Sequence, residues 1–482
     1  MGKKTPDFIS TTNACKLCRP LGAVLAFRGV AGAVPYLHGS QGCATYMRRY
    51  IISHFNEPID IASSSLGEKN AIYGGGPNLM LGLQNVTAKY RPALIGIATT
   101  CLTETIGDDL NLLLAQYRRE FIGDDDSAPL LIRVSTPSYA GSHMEGFHGA
   151  VMALVEQLAA PAESDSVSGQ AMPTEAGINL FPGLVSPADL RLLKDILAEF
   201  NLPATILPDF SDTLDGPALE DYPLIPPGGT EIAAIAGMGR AAVSIEFGRT
   251  IPDNLSAAGW LAAQRGVSRK QLGLPLGLRE TDRLMELLAQ LAASRSAPTG
   301  CEESPTSAQP ALPPRQAAAR GRLLDAMVDG HKYLAGKRAL VYGEEDLVVG
   351  LSSLLAELGI RPVLCASGGK SGKLAAAIGE VTGELLPAGS SPEVYEDCDF
   401  FDIAERARQL KPDLIIGHSK GYSLARELAI PLIRLGFPIH DRLGGQRILH
   451  LGYQGAQQLF DTIVNTLIAH KQDSSPVGYS YM

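Results

Sequence analysis

The sequence is short of the features that mark membrane, secreted or nucleic-acid-binding proteins. No uninterrupted apolar run reaches the roughly 18 residues that a membrane span needs. Basic residues are not in excess: 41 Lys and Arg stand against 51 Asp and Glu, a net charge of −10 that argues against nucleic acid as the main partner. Met1-Gly2-Lys3-Lys4-Thr5-Pro6-Asp7 carries no apolar h-region, so no secretory signal is expected there and the expected location is cytoplasmic. Nucleotide-binding loops are missing too. Gly74-Gly75-Gly76-Pro77 and Gly368-Gly369-Lys370-Ser371-Gly372-Lys373 lack the spacing of a dinucleotide fingerprint or a P-loop. The second reads as a surface loop, with an anion cradle at a helix N-terminus as the other reading. No Ser/His/Asp order and no paired-carboxylate spacing stands out.

At 482 residues the chain exceeds one ordinary core and implies about three domains. Its 45% hydrophobic content describes a globular protein rich in Ala, Leu and Gly. Apolar runs alternate with helical periodicity three times, which predicts an α/β fold of three Rossmann-like domains with mostly parallel sheets flanked by helices. The first domain, 1–172, has strands at Ala33–Leu37, Ala93–Thr99 and Leu130–Val134. Helices are expected at Gly22–Arg28, Ala44–Ile52, Asn78–Lys89, Glu104–Tyr117 and Met144–Ala159, and a polar surface loop at Ala62–Lys69. A linker at Pro161–Thr174 leads to a second domain, 173–300, with strands at Ile178–Phe181, Ala204–Leu207 and Ala242–Phe247. Pro-rich residues 301–316 form the clearest linker. The third domain, 317–482, has strands at Ala339–Gly343, Pro362–Cys365 and Leu414–Gly417 and a final helix from about Gly455 to Ala469. No sequence repeat matches the architectural one.

Cysteine usage carries the strongest chemical signal. Seven cysteines in so long a chain are not a disulfide framework. Four of them, Cys15, Cys18, Cys43 and Cys101, fall within the first 101 residues, whereas Cys301, Cys365 and Cys398 are scattered. Cys43 ends the Gly-rich stretch His38-Gly39-Ser40-Gln41-Gly42-Cys43, whose small residues suit a backbone that comes close to something bulky. Cys101 lies just past the carboxyl end of a strand, where open α/β sheets gather ligands. The Cys15-x-x-Cys18 pair is open to three readings: half a zinc site, a thiol redox pair, or part of an iron–sulfur ligand set. A second CxxC is absent and the next His is His38. The iron–sulfur reading is preferred because such clusters take thiolates and draw them from separate turns. His418, and His440 beside Asp441, read as hydrogen-bonded loop histidines. Cys365 reads as a small apolar residue at a strand end, and the acids beside Cys398 are expected to raise its pKa.

These motifs have a family resemblance. Cys18-Arg19-Pro20-Leu21-Gly22-Ala23, His38 to Cys43, Thr99-Thr100-Cys101 with Glu104 and Ile106-Gly107-Asp108-Asp109-Leu110, and Thr136-Pro137-Ser138 with Gly141-Ser142-His143 resemble the nitrogenase component 1 family. So do Arg320-Gly321-Arg322-Leu323, Leu414 to Ser419 and Pro431 to Arg442, so the likeness spans nearly the whole chain and is of the β type. Asn13 to Cys18 and Ile52 to Pro58 favour the branch that assembles the iron–molybdenum cofactor over the catalytic β subunit.

The resemblance implies a scaffold subunit for cofactor biosynthesis, paired with an α-like partner in an α2β2 heterotetramer. It implies a [4Fe-4S] cluster shared with that partner, for which Cys43 supplies this chain's ligand. The cofactor precursor would sit in the partner, and the nitrogenase reductase, the iron protein, would dock to deliver electrons and metal. Cys18 and Cys101 match positions that hold the larger P-cluster in the catalytic β subunit. A larger iron–sulfur cluster and a catalytic nitrogenase-type oxidoreductase are therefore the alternatives.

Overall fold

The computed structural model describes residues 14–123, 125, 127–159, 177–296 and 312–477. Three sheets follow one another along the chain. The first has the strand order β2-β1-β3-β4, with β1 at Ala33–His38, β2 at Ala62–Ser63, β3 at Leu94–Thr99 and β4 at Leu130–Val134. The second is ordered β6-β5-β7-β8, from β5 (Ile178–Phe181), β6 (Ala204–Ile206), β7 (Val243–Phe247) and β8 (Ser268–Leu272). The third is ordered β11-β10-β9-β12-β13, from β9 (Arg338–Gly343), β10 (Arg361–Ser367), β11 (Glu393–Tyr395), β12 (Leu414–Gly417) and β13 (Leu432–Arg434). Every pairing within them is parallel. The central strands are buried along their whole length because helices cover both faces, which is why they read as continuous apolar runs. The α/β architecture of three parallel sheets is the one the alternation of strands and helices predicts.

Helix α1, Arg19–Arg28, is wedged beside the first sheet. It is buried from Pro20 onward, as a helix that is apolar all round must be. It crosses the helix His143–Leu158 at two glycines. A Cβ on Gly22 would lie 1.7 Å from the His143 carbonyl oxygen, and one on Gly146 would lie 1.8 Å from that of Arg19. Both contacts are with backbone, so neither can yield. The Gly of the Cys18-Arg-Pro-Leu-Gly motif is therefore a packing requirement that sets α1 against its neighbour.

Several expectations need correction. Ala62 and Ser63, expected in a surface loop, form β2, pairing with Tyr36 and Leu37. The single helix expected over Glu104–Tyr117 is two, Cys101–Ile106 and Leu110–Tyr117. Gly107, at φ +78°, ends the first, and the Asp109 carboxylate caps the second by accepting from the amides of Asn111 and Leu112. Gly42 and Cys43, expected in a turn, belong to the first turn of helix α2, Gln41–Phe55. The short strands β8, β11 and β13 carry little apolar alternation and were not expected. The predicted linker Pro161–Thr174, Cys301 and most of residues 301–316 lie outside the described residues.

Buried polar groups tie the sheets together. Asp189, fully buried in the helix Pro187–Glu199, accepts from the amides of His450 and Leu451 at 2.7 and 3.0 Å and contacts His450 Nδ1 at 2.8 Å. Burial alone would raise its pKa, but His450 and these amides hold it below the usual aspartate value. The stabilisation is complete above about pH 4 and is lost as pH falls toward the lower value of the folded state. Asp189→Ala strands these donors and is expected to cost about 3–5 kcal/mol. Denaturant melts from pH 7 down to pH 3 will check this, the gap between variant and parent narrowing at the acid end.

Candidate functional site

The site grows from the carboxyl ends of β1 and β3. From β1 the chain crosses to β2 on one side, and β3 lies on the other, so the β1–β3 boundary is where the strand order reverses. Ligands of open α/β sheets bind in the crevice at such a point. The two strands end in register, His38 opposite Thr99. Each then turns into a helix that carries a cysteine in its first turn. Cys43 is the third residue of α2 and Cys101 is the first of the helix Cys101–Ile106. Cys18 is the residue capping α1. Each of the three thiols thus sits at the start of a helix, where amide groups lack intrahelical partners.

Hydrogen bonds hold the turns in place. His38 is fully buried; its Nδ1 contacts Ser64 Oγ at 3.0 Å and its Nε2 contacts Asp108 Oδ2 at 3.1 Å. Asp108 also accepts from the Gly75 amide, so the Gly-rich loop closes over the end of β1. With both ring nitrogens engaged, His38 is a structural pin and no partner for the Cys15/Cys18 pair. Thr103 Oγ1 donates to the His38 carbonyl at 2.9 Å, and the Thr100 amide donates to it at 3.1 Å. Thr99 Oγ1 and Ser135 Oγ both donate to Glu104 Oε1, which fixes the start of the Cys101 helix against the loop after β4. That loop brings in Ser138. Its amide donates to Cys101 Sγ at 3.2 Å, and its hydroxyl accepts from the Arg19 amide at 3.3 Å. Ser138 thereby bridges the Cys101 and Cys18 turns. Sequence reasoning had it only inside a motif, because its role depends on a loop 37 residues downstream folding back.

Cys43 lies within electrostatic reach of the other two thiols. Burial raises the pKa of Cys43, the Ser40 hydroxyl at 4.0 Å brings it partway back, and the charges of Cys18 and Cys101 push it up again. Cys43 and Cys101 are half-buried and Cys18 is exposed, so the group opens to the outside. Among the described residues no three His, Cys, Asp or Glu side chains converge closely enough to hold a single metal ion. The donor chemistry fits a polynuclear iron–sulfur cluster, which takes soft sulfur ligands from separate turns.

Cys15 does not belong to this group. Its thiol is buried in the apolar core of the third sheet with Leu340, Tyr342, Phe400 and Cys398, and burial raises its pKa well above the usual thiol value. The Cys15-x-x-Cys18 spacing is therefore no clamp, and the zinc and dithiol readings of that pair fall. The segment between the two is anchored at both ends. Lys16 pairs with Asp397 at 2.7 Å, and the Leu17 amide donates to His143 Nδ1 at 3.3 Å. His143 Nε2 meets Glu344 at 3.2 Å, just past β9, so the third sheet helps position Cys18.

The other candidates are structural. His418 is buried edge-on against Tyr342, and burial lowers its pKa to about 4. His440 contributes its backbone amide to Ser419. The Gly368–Lys373 loop has no anion cradle open to a ligand: the Ser371 amide binds Glu345 of the chain itself. Cys365 packs on β10 with Ser352. Cys398 is pushed up to about 12 by burial first and by Asp402 and Asp399 after it.

Comparison with known proteins agrees with this architecture. Residues 18–468 match the family described as nitrogenase component 1 type oxidoreductase. The nitrogenase molybdenum-iron protein beta chain of Clostridium pasteurianum is 34% identical over 456 residues, covering 95% of this chain and 93% of that one. The corresponding chain of Azotobacter vinelandii is 34% identical over 470 residues, covering 95% of this chain and 84% of its own length. A solved structure titled nitrogenase Cp1 at pH 6.5 superposes with a TM-score of 0.89 at 31% identity, covering 100% of this chain and 98% of that one. The chain belongs to the nitrogenase component 1 family, and its relatives are of the β kind. No described helix is long and apolar enough to cross a membrane.

Gly39 sets the spacing of the site. A Cβ there would sit 2.0 Å from Thr100 Oγ1 and 2.4 Å from its methyl, the residue just before Cys101. Gly39→Ala is expected to push the Cys43 and Cys101 turns apart, costing about 1–3 kcal/mol. Its iron content should fall further than that of an equally destabilised core variant remote from the thiols. Thermal melts and iron analysis of the two variants side by side will check this.

Proposed function

We propose that the chain is a NifN-like subunit of the scaffold on which the iron–molybdenum cofactor of nitrogenase is built. In this reading it pairs with a NifE-like α subunit in an α2β2 heterotetramer and shares a [4Fe-4S] cluster with it. Cys43 is the ligand this chain supplies, and Cys18 and Cys101 stand within reach of the same cluster. The observation that carries the reading is the outward-facing trio of thiols, which lacks a fourth donor among the described residues and so calls for ligands from another chain. The surroundings support a partner there. Tyr46, one helical turn beyond Cys43, and Tyr139, next to Ser138, are 67% and 69% exposed. Large aromatic side chains of this kind are enriched at protein interfaces.

Each group then has a task. The turn amides and the Ser40 hydroxyl stabilise thiolate charge, Ser138 fixes the Cys101 sulfur, and His143 with Glu344 fixes the approach of Cys18. The cluster, when bound, supplies one-electron storage. The precursor of the cofactor is taken to lie in the partner, and the nitrogenase reductase is the expected electron and metal donor.

A catalytic β subunit is the second reading. It is favoured by the presence of all three thiols and by relatives named as nitrogenase beta chains. Acetylene reduction by the purified complex, supplied with reductase and ATP, separates the two. The scaffold reading expects little or no turnover, and nitrogenase-like rates would overturn it. In the same complex, Cys43→Ala is expected to lose most of the bound iron and the cluster's visible absorbance without dissociating the subunits. Unchanged iron would remove Cys43 from the ligand set.

A further inference from the structure

The segment that leads into Cys18 lies as a short antiparallel strap against the chain between β11 and the helix Phe400–Leu410. Ala14 bridges to Asp399 in antiparallel sense. Two residues on, the same order holds through side chains, where Lys16 meets Asp397 at 2.7 Å. Cys15 and Cys398 fall between these two pairs and so face each other across the strap. Residues opposed in this way hold their Cα atoms about 4.5–5.5 Å apart, inside the range of about 4.4–6.8 Å that a disulfide spans. The strap is seated closely. A Cβ on Gly368 would lie 2.7 Å from the Lys16 nitrogen and 2.9 Å from the Cys15 carbonyl carbon, and Lys420 Nζ donates to the Ala14 carbonyl at 2.9 Å.

Both thiols are free and buried, in one apolar cluster with Leu340, Tyr342 and Phe400. After burial itself, the charge of Cys398 does most to raise the pKa of Cys15, as sulfurs lying near each other require. Both sulfurs also touch one peptide group. Cys398 Sγ donates to the Ser367 carbonyl at 3.2 Å, and the Gly368 amide donates to the Cys15 sulfur. Joining them takes a rotation of each side chain and gives up these two weak hydrogen bonds. The other buried thiol of this sheet, Cys365, is engaged by Ser352 at 3.2 Å.

We propose that Cys15 and Cys398 are a redox-sensitive pair that hydrogen peroxide closes to a disulfide, clasping the strap before Cys18 to the third domain. One thiolate attacks a peroxide oxygen; the O–O bond breaks, and a sulfenic acid and hydroxide form. The second thiolate attacks the sulfenic sulfur, the S–O bond breaks, and a second hydroxide leaves. The two thiol protons convert both hydroxides to water. Two thiols and one hydrogen peroxide thus become a disulfide and two waters, and two electrons pass from the sulfurs to the peroxide. Burial keeps both groups protonated, so the reaction goes through local opening of the strap and is slower than at an exposed thiol. The pair faces the core and not the rim that carries Cys18, Cys43 and Cys101, so it stands apart from the cluster reading.

The test exposes the folded chain, in complex with any subunit that copurifies, to hydrogen peroxide for a day, alkylates the remaining thiols and digests with trypsin. Cleavage after Lys16 separates Cys15 from Cys18, so the bond shows in mass spectrometry as residues 5–16 joined to residues 374–406. This product is expected to exceed every other linkage of Cys15 at least tenfold and to disappear on treatment with dithiothreitol. It is expected to be absent from Cys398→Ser and to persist in Cys365→Ser. The same chain oxidised in urea is expected to spread its linkages over all of its cysteines. Recovery of Cys15 and Cys398 from the folded chain as alkylated thiols or as sulfinic acids would overturn the proposal. So would a folded sample in which Cys15 is joined chiefly to Cys18, or one no richer in the Cys15–Cys398 product than the urea sample. Should Cys398→Ser fail to fold, the comparison of the folded and urea-treated parent chain decides.

Discussion

The whole arrangement rests on two neighbouring parallel strands ending in register, with nothing between their following turns but a glycine. His38 and Thr99 lie side by side, and Gly39 lets the Thr100 side chain press directly against the turn that leads to Cys43. Parallel pairing makes both turns point the same way, so the thiols of Cys43 and Cys101 emerge on one rim. A larger residue at position 39 would hold the turns apart. The buried His38–Asp108 contact then locks the Gly-rich loop over the junction, and burial lowers the His38 pKa despite the carboxylate, so the ring stays neutral in the interior.

Cys18 reaches the same rim by a different route. It caps a helix that is too apolar to lie anywhere but the interior, and that helix is seated by glycine contacts with the backbone of His143–Leu158. The residues just before it are pinned to the third sheet through His143, Glu344, Lys16 and Asp397. One face of the site is thus positioned by elements more than 200 residues away in sequence. Burial would raise the pKa of Glu344, but His143 and the nearby His418 hold it low, which keeps the pin charged. The division of labour between Cys15 and Cys18 follows: the first fills a core and the second faces outward.

Much of this was legible in the sequence because the period of the apolar pattern is a local property. The runs at Leu94–Thr99 and Leu414–Gly417 announce strands covered on both faces. The crowding of cysteines toward one end pointed to the region of the candidate site, and the family resemblance grouped three of them. What escaped depends on partners distant in sequence. β2 is two residues of polar chain that become a strand only because β1 offers its edge. The break at Gly107 to Asp109 hides in a helical pattern, and its reason, the reach of Asp108 to His38, appears only in three dimensions. Ser138 likewise acquires its place from the fold, and no periodicity could have separated a buried Cys15 from an exposed Cys18 three residues on.

The central claim is that Cys18, Cys43 and Cys101 form one wall of a cluster site that another chain completes. Iron and acid-labile sulfide, measured anaerobically in this chain expressed alone and in the complex with its α-like partner, test it most directly. The account predicts about four iron atoms per copy of this chain in the complex and far fewer than one in the chain alone. A full cluster complement on the isolated chain would contradict it.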